Sequence, residues 1–472
     1  MTDADIGLIG LGVMGANLAL NIADKGHTVA VYNRTAAKTD SFMQQAGPLA
    51  ERFVPCRSLS DLVTAIRPPR PIIMMVKAGE AVDEQIDALR PLVAADDILI
   101  DAGNANFHDT RRRVDALGTA GPRFLGIGVS GGAEGARNGP SIMVGGTRDS
   151  YARVEPILSA IAARYEDDPC SAYLGSDGAG HFVKTIHNGI EYANMQMIAE
   201  IFGLLRNGYG RSPKDIGHIF DRWNSGMLKS YLIEITGRVL AADDPDTGQP
   251  VVDIILDRAG QKGTGRWTAI EAQALGVPAT TIEAAVSARA LSALKQERVA
   301  AAGIYEAPQG VGLGDYGVET AKTLEKALHA ATIIAYAQGF AALSAASDEN
   351  GWNLPYRDTA RIWRAGCIIR SAFLDVIMRA YEDATTPSNL LVAPAVVETL
   401  TEAVPALRTV VAGAVAAGMP VPALGAALGY FETYRNARTT AYLLQAQRDY
   451  FGEHGFERID RPGDFHGPWG PG

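Results

Sequence analysis

Gly10, Gly12 and Gly15 in GLIGLGVMGANLA form the spacing G-x-G-x-x-G, directly after the apolar run IGLIG and at the start of a helix-forming run. No other stretch restricts the fold as much. Glycines at these positions allow a tight strand-to-helix turn and bring backbone N–H groups close to a pyrophosphate at a positive helix N-terminus. The spacing by itself is a weak signal, and a glycine-rich turn without a ligand would show it too. The strand–turn–helix setting favours a dinucleotide site, with Leu11, Val13 and Met14 in the same loop.

The rest of the first 175 or so residues fits that start. Short β-branched runs at 6–10, 28–32, 72–76, 98–101 and 124–129 alternate with helical stretches, which predicts βαβ units and a mostly parallel sheet. From about Gly178 the strand signal fades into long Ala- and Leu-rich runs at helical spacing. Turn clusters such as DDPDTGQP and APQGVGLGDYG break them. After about Asn436 the chain ends in RPGDFHGPWGPG, too rich in Gly and Pro for a helix. The expected organisation is a Rossmann-like domain over 1–177, a large all-helical domain over 178–435 and an extended C-terminal tail over 436–472.

Composition narrows the function. The chain has 472 residues, 47% hydrophobic and 20% charged, which suits a soluble multidomain enzyme. A formal charge of −10 argues against nonspecific nucleic-acid binding, though not against an anionic small substrate. No export signal opens the sequence and no run of about 18 apolar residues stands out, so a membrane span is not expected. Cys56, Cys170 and Cys367 are widely separated and form no metal-ligand pattern, as in a reduced cytoplasmic protein. No metal site is expected.

The end of the second strand bears on the cofactor. NAD sites usually place Asp or Glu there for the ribose 2′-hydroxyl. This chain has Asn33-Arg34-Thr35. Arg34 suits a 2′-phosphate that a carboxylate would repel, so NADP is expected.

GVSGG, 128–132, matches the hydrolase nucleophile elbow G-x-S-x-G. Its surroundings show no clear elbow helix. Ser130, Gly131 and Gly132 better suit presenting a hydroxyl and backbone N–H groups to a carboxylate. GQKGTGRW, 260–267, interleaves glycines with Lys262 and Thr264, either a phosphate cradle or a mobile basic loop. Arg289 sits in an apolar helical run and needs a partner or a ligand. Arg448 and His454, in QRDYFGEHGF, taken alone read as surface or interface residues.

In KTIHNGIEYANMQ, helical spacing puts Lys184, His187, Asn188, Glu191 and Tyr192 on one side and Phe182, Ile186, Ile190, Ala193 and Met197 on the other. The polar side is either a solvated face or a reactive one. Alcohol oxidation by hydride transfer needs a base, for which Lys184 or His187 qualifies; a lysine base must have its pKa lowered. Glu191 qualifies as an acid if its pKa is raised.

Together, GLGVMGANLALNIADKGHTVAVYNRT, GVSGGAEGARNGPSIM, GAGHFVKTIHNGIEYANMQ, ILDRAGQKGTGRWTAIEA, GCIIRSAFL and LLQAQRDYFGEHGFER resemble the 6-phosphogluconate dehydrogenases over essentially the whole chain. The resemblance implies oxidative decarboxylation of 6-phosphogluconate to ribulose 5-phosphate and CO2 with NADP+, without a metal, in the oxidative pentose phosphate branch. Lys184 matches the base and Glu191 the acid. Asn104, Ser130, Gly131, Gly132, His187, Asn188 and Tyr192 match substrate positions, and Lys262, Thr264, Arg289 and Arg448 those that hold the sugar phosphate. Gly10 to Gly15, Asn33, Arg34, Thr35, Val76, Lys77, Ala78 and Asn104 match cofactor positions. The resemblance further implies a homodimer in which Arg448 and His454 of the tail complete the partner's site. Other readings are a dehydrogenase of another β-hydroxy acid and a silent NADP-binding regulator.

Overall fold

The computed structural model describes residues 4–261, 263–306, 312–382 and 387–469. Its N-terminal part is built on an eight-stranded sheet in the order β10-β7-β6-β5-β4-β1-β2-β3. The strands are β1 (Ile6–Ile9), β2 (Val29–Tyr32), β3 (Phe53–Pro55), β4 (Pro71–Met74), β5 (Ile98–Asp101), β6 (Arg123–Val129), β7 (Ile142–Gly146) and β10 (Ser171–Gly175). A two-residue pair, β8 (Arg164–Tyr165) and β9 (Asp168–Pro169), precedes the last. All neighbours in the sheet run parallel except β6 and β7, which are antiparallel.

The five runs expected to be strands all form strands. Three more, β3, β7 and β10, carry little sequence signal: β3 is only three residues long, and β7 lies in SIMVGG, where glycine hides the pattern. Apolar residues on both faces of the sheet are covered, with Ile6, Leu8, Ile73 and Ile100 in one cluster and Ile72, Met74 and Leu99 in another. That two-sided burial is why the strands read as continuous apolar runs.

The chain leaves β10 directly into a 25-residue helix, Ala179–Gly203. Its apolar residues Phe182, Ile186, Ile190 and Met197 enter one large core shared with the helices Val318–Asn350 and Pro394–Ala416. Its first turns lie hard against the sheet. A Cβ on Gly128 of β6 would fall 2.4 Å from Lys184 Cβ, so only glycine there admits the helix at this depth.

Val318–Asn350 corrects one expectation, because by length and composition it is apolar enough to cross a bilayer. Its long run of small apolar residues serves a protein core instead: 78% of its most apolar window is buried inside the protein.

The tail also differs from the extended segment expected. It begins with a helix, Ala441–Gly452, followed by a short antiparallel pair, β11 (Phe456–Glu457) and β12 (Asp464–Phe465). Asp449, almost fully buried, organises it. Its carboxylate accepts hydrogen bonds from Gly455 N at 2.9 Å, Gly467 N at 2.8 Å and Trp469 Nε1 at 2.7 Å, and lies 2.7 Å from His466 Nδ1. One buried carboxylate thus supplies an acceptor centre for a Gly/Pro-rich segment whose two-residue strand β12 satisfies little of its backbone.

Candidate active site

The glycine loop has the shape the motif requires. Gly10 has φ +98°, and a Cβ there would meet Met75 O at 2.4 Å. A Cβ on Gly15 would lie 1.9 Å from Gly10 O, so the helix Val13–Asp24 starts in contact with the loop. Gly12 meets nothing within 4 Å on its side-chain side, which leaves the outer face of the loop open. Asn33 accepts a hydrogen bond from Leu11 N at 3.0 Å and donates to Thr35 O at 3.2 Å, tying the end of β2 to the loop. Arg34 and Thr35 are exposed beside it, and Val76, Lys77 and Ala78 follow β4. Open glycine backbone, a helix N-terminus and an exposed guanidinium at the end of β2 fit a dinucleotide carrying a 2′-phosphate.

Met14 of this loop, with Asn104, also lines a cleft of about 700 Å³. Ser130, Gly131 and Gly132 form a second wall, and Lys184, Asn188, Glu191 and Tyr192 a third. Thr264 and Arg289 close the far end. Residues from six separated stretches singled out in the sequence therefore meet around one space.

The polar side of the helix Ala179–Gly203 is not a solvated face. Lys184, Asn188 and Tyr192 are each buried, and His187 has no exposed surface. Lys184 Nζ donates to Asn188 Oδ1 at 2.8 Å and to Ser130 Oγ at 3.1 Å, and lies 3.3 Å from His187 Nδ1. Burial lowers the Lys184 pKa, against the opposing pull of the Glu191 charge. Burial raises the Glu191 pKa, against Lys184 and Arg289. Each shift is in the direction an amine base and a carboxylic acid require.

His187 departs from the role expected of it. It does not line the cleft but lies behind Lys184, its ring 5.6 Å from that of Trp363. Its pKa is driven well below the ordinary value by burial and by the Lys184 cation. In this geometry it supports Lys184 and Ser130, with Nε2 3.3 Å from Ser130 Oγ. The hydrolase motif also differs from expectation in one respect, since a short helix, Gly132–Asn138, does follow it. The serine is nonetheless no activated nucleophile, because it accepts from Lys184 and its histidine neighbour is a poor base.

Arg289 finds its partner in Tyr192, with Cζ 3.5 Å from the ring centroid. Tyr192 in turn packs so closely on the helix Thr264–Ala274 that a Cβ on Gly265 would fall 2.4 Å from its ring. Lys262 lies outside the described residues. Arg448 and His454 are exposed on the tail and do not line the cleft of their own chain. Gly260 and Gln261 of the GQKGTGRW loop and Val129 of GVSGG also line it, as does Ile368, which no sequence pattern marks as a site residue. Ile368 lies in GCIIRS, an apolar run that looks like ordinary core.

A family model described as the NAD binding domain of 6-phosphogluconate dehydrogenase matches residues 5–175, and one described as the 6-phosphogluconate dehydrogenase C-terminal domain matches 180–469. The chain belongs to the 6-phosphogluconate dehydrogenase family. An NADP(+)-dependent, decarboxylating 6-phosphogluconate dehydrogenase of Bacillus subtilis is 47% identical over 469 residues, covering 99% of this chain and 100% of its own. A second B. subtilis member, described as NAD(+)-dependent, is also 47% identical, over 98% of this chain and 99% of its own. Overall identity to these two members therefore does not choose the cofactor. The solved 6-phosphogluconate dehydrogenase of Plasmodium falciparum superposes with a TM-score of 0.95 at 39% identity, covering 98% of this chain and 100% of that one.

Proposed function

We propose that the protein oxidatively decarboxylates 6-phospho-D-gluconate to D-ribulose 5-phosphate and CO2 with reduction of NADP+. The observation that supports this most is the pair Lys184 and Glu191, both desolvated on one helix and both facing the cleft that the glycine loop enters. Bound NADP+ supplies the hydride acceptor. Arg34 pairs with its 2′-phosphate, and Asn33 keeps the loop in place.

Lys184, neutral, accepts the proton of the substrate 3-hydroxyl as that carbon is oxidised. Its N–H groups stay directed at Asn188 and Ser130. In the resulting β-keto acid the ketone takes up the electron pair of the breaking C–C bond, and protonated Lys184 donates to that oxygen as CO2 leaves. Glu191 then protonates the enediol carbon that becomes C1 of the product. Ser130, Gly131 and Gly132 hold the carboxylate; Lys262, Thr264 and Arg289 hold the phosphate. An assay of NADPH absorbance with 6-phosphogluconate and NADP+ tests the reading. Absence of turnover contradicts it, and equal turnover of unphosphorylated gluconate contradicts the phosphate assignment.

The working division is a cofactor domain over 1–177, a helical domain over 178–435 and a tail over 436–472, in a cytoplasmic homodimer. The tail helix exposes Tyr442, Leu443, Leu444, Tyr450 and Phe451, a surface suited to burial against a second copy. Arg448 and His454 would then reach the other subunit's cleft. Mixing a chain truncated after Ala437 with full-length Lys184→Ala tests this. Activity returns if the tail works across subunits; silence from verified heterodimers contradicts it.

A further inference from the structure

A second cleft, of about 340 Å³, lies apart from the catalytic one, between the start of the helix Tyr231–Ala241 and the stretch 364–375. Three cations face it. Arg364 is already neutralised, 3.2 Å from Asp375 and 3.3 Å from Asp168. Lys229 and Arg370 have no carboxylate partner among the described residues.

The backbone brings the stretches that carry them together. Tyr231 N donates to Arg370 O at 3.0 Å and Ala372 N donates to Lys229 O at 2.9 Å, with Ser230 and Ser371 bridged between them. The Arg370 guanidinium is also fixed, 3.6 Å from the Tyr231 ring centroid, with Nη1 donating to Cys367 O at 2.7 Å. Its remaining N–H groups have no acceptor among the described residues. A guanidinium with unused donors and an ammonium without a carboxylate partner, both on the wall of one cleft, suit an anion.

The same cleft carries groups for hydroxyls. Glu234 lines it, with Oε1 held by Arg238 and Oε2 left to accept, and so does Asn224, whose Oδ1 accepts from Ser230 N at 2.9 Å and whose NH2 group has no acceptor among the described residues. Volume and lining both fit a molecule the size of a phosphorylated monosaccharide. We propose that this cleft is a non-catalytic binding site for a small phosphorylated polyol, its phosphate between Lys229 and Arg370 and its hydroxyls on Glu234 and Asn224.

Calorimetric titration of the full chain tests it. The catalytic cleft is first disabled by Thr264→Ala with Arg289→Ala, because 6-phosphogluconate, itself a phosphorylated polyol, would fill both clefts; the drop in 6-phosphogluconate stoichiometry that this causes reports separately on the proposed function. Glucose 6-phosphate is then titrated into that chain. The expected result is one site per chain, weakened at least tenfold in Kd by adding Lys229→Ala, an exposed position. Absence of binding to the disabled chain, or an unchanged Kd with Lys229→Ala, overturns the site. Inorganic phosphate is expected to bind more weakly than the sugar phosphate and to be indifferent to Glu234→Gln. Equal affinity for the two probes, or no effect of Glu234→Gln on glucose 6-phosphate, overturns the polyol assignment.

Discussion

Lys184 Nζ lies 2.8 Å from Asn188 Oδ1, one helical turn further along the same helix. A neutral amide accepts this hydrogen bond without fixing a charge on the amine, which leaves Lys184 free to lose its proton. Asn188→Asp puts a carboxylate in the same place. The ammonium form then gains an ion pair in a desolvated site, and its pKa rises. The expected outcome is an acidic limb of the kcat profile displaced to higher pH. A base whose pKa rises holds less of its neutral form at neutral pH, and kcat there falls with it. A profile that stays in place removes the base from Lys184.

Glu191 sets the other limb. Its pKa is raised, so it remains protonated to higher pH than an ordinary carboxyl, and activity falls as pH rises through that value. The Lys184 pKa is lowered, so activity falls as pH drops through it. The two groups interact, so the bell belongs to the pair rather than to either residue. Glu191→Gln is expected to lower kcat by about 10²- to 10⁴-fold, the usual worth of a positioned acid. The alkaline limb should disappear with it, which pH-resolved kinetics will read.

Gly128→Ala tests how tightly the helix is seated. The added methyl lies 2.4 Å from Lys184 Cβ, and both belong to packed elements. Overpacking of this kind costs about 1–3 kcal/mol. Thermal unfolding should show that loss, and kcat should fall while NADP+ affinity, assigned to the glycine loop and Arg34, stays within about twofold. Unchanged stability and kcat would mean that the helix has slack.

Arg34→Ala separates the two nicotinamide cofactors. A charged hydrogen bond contributes about 1.5–3 kcal/mol, so NADP+ affinity should drop roughly 10- to 100-fold. NAD+ has no 2′-phosphate to lose and should bind as before. Parallel titrations with both cofactors give the answer directly, and equal losses would place Arg34 elsewhere in recognition.

Much of the fold and the site is legible in the sequence, for identifiable reasons. Fully buried strands and a glycine loop leave continuous apolar runs and fixed spacings, and Lys184, Asn188, Glu191 and Tyr192 fall on one helical face by arithmetic. What escapes depends on three dimensions. His187 shares that face, but it is buried behind Lys184, against Trp363 and Ser130, instead of opening to the cleft. Ile368 lines the cleft from an apolar run that no periodicity separates from core. Asp449 looks like one more tail carboxylate until the backbone folds around it. The tail helix, Ala441–Gly452, is masked by the Gly/Pro-rich end that follows it.

The helix Ala179–Gly203 carries the amine and the carboxylic acid seven residues apart, a separation of roughly 10 Å along a rod of fixed pitch. The helix is therefore a ruler for proton transfer. Loops that choose the nucleotide or the phosphate can drift in sequence without altering the distance between the two proton carriers. Selection can retune what the enzyme binds while the order and spacing of its chemistry remain inherited.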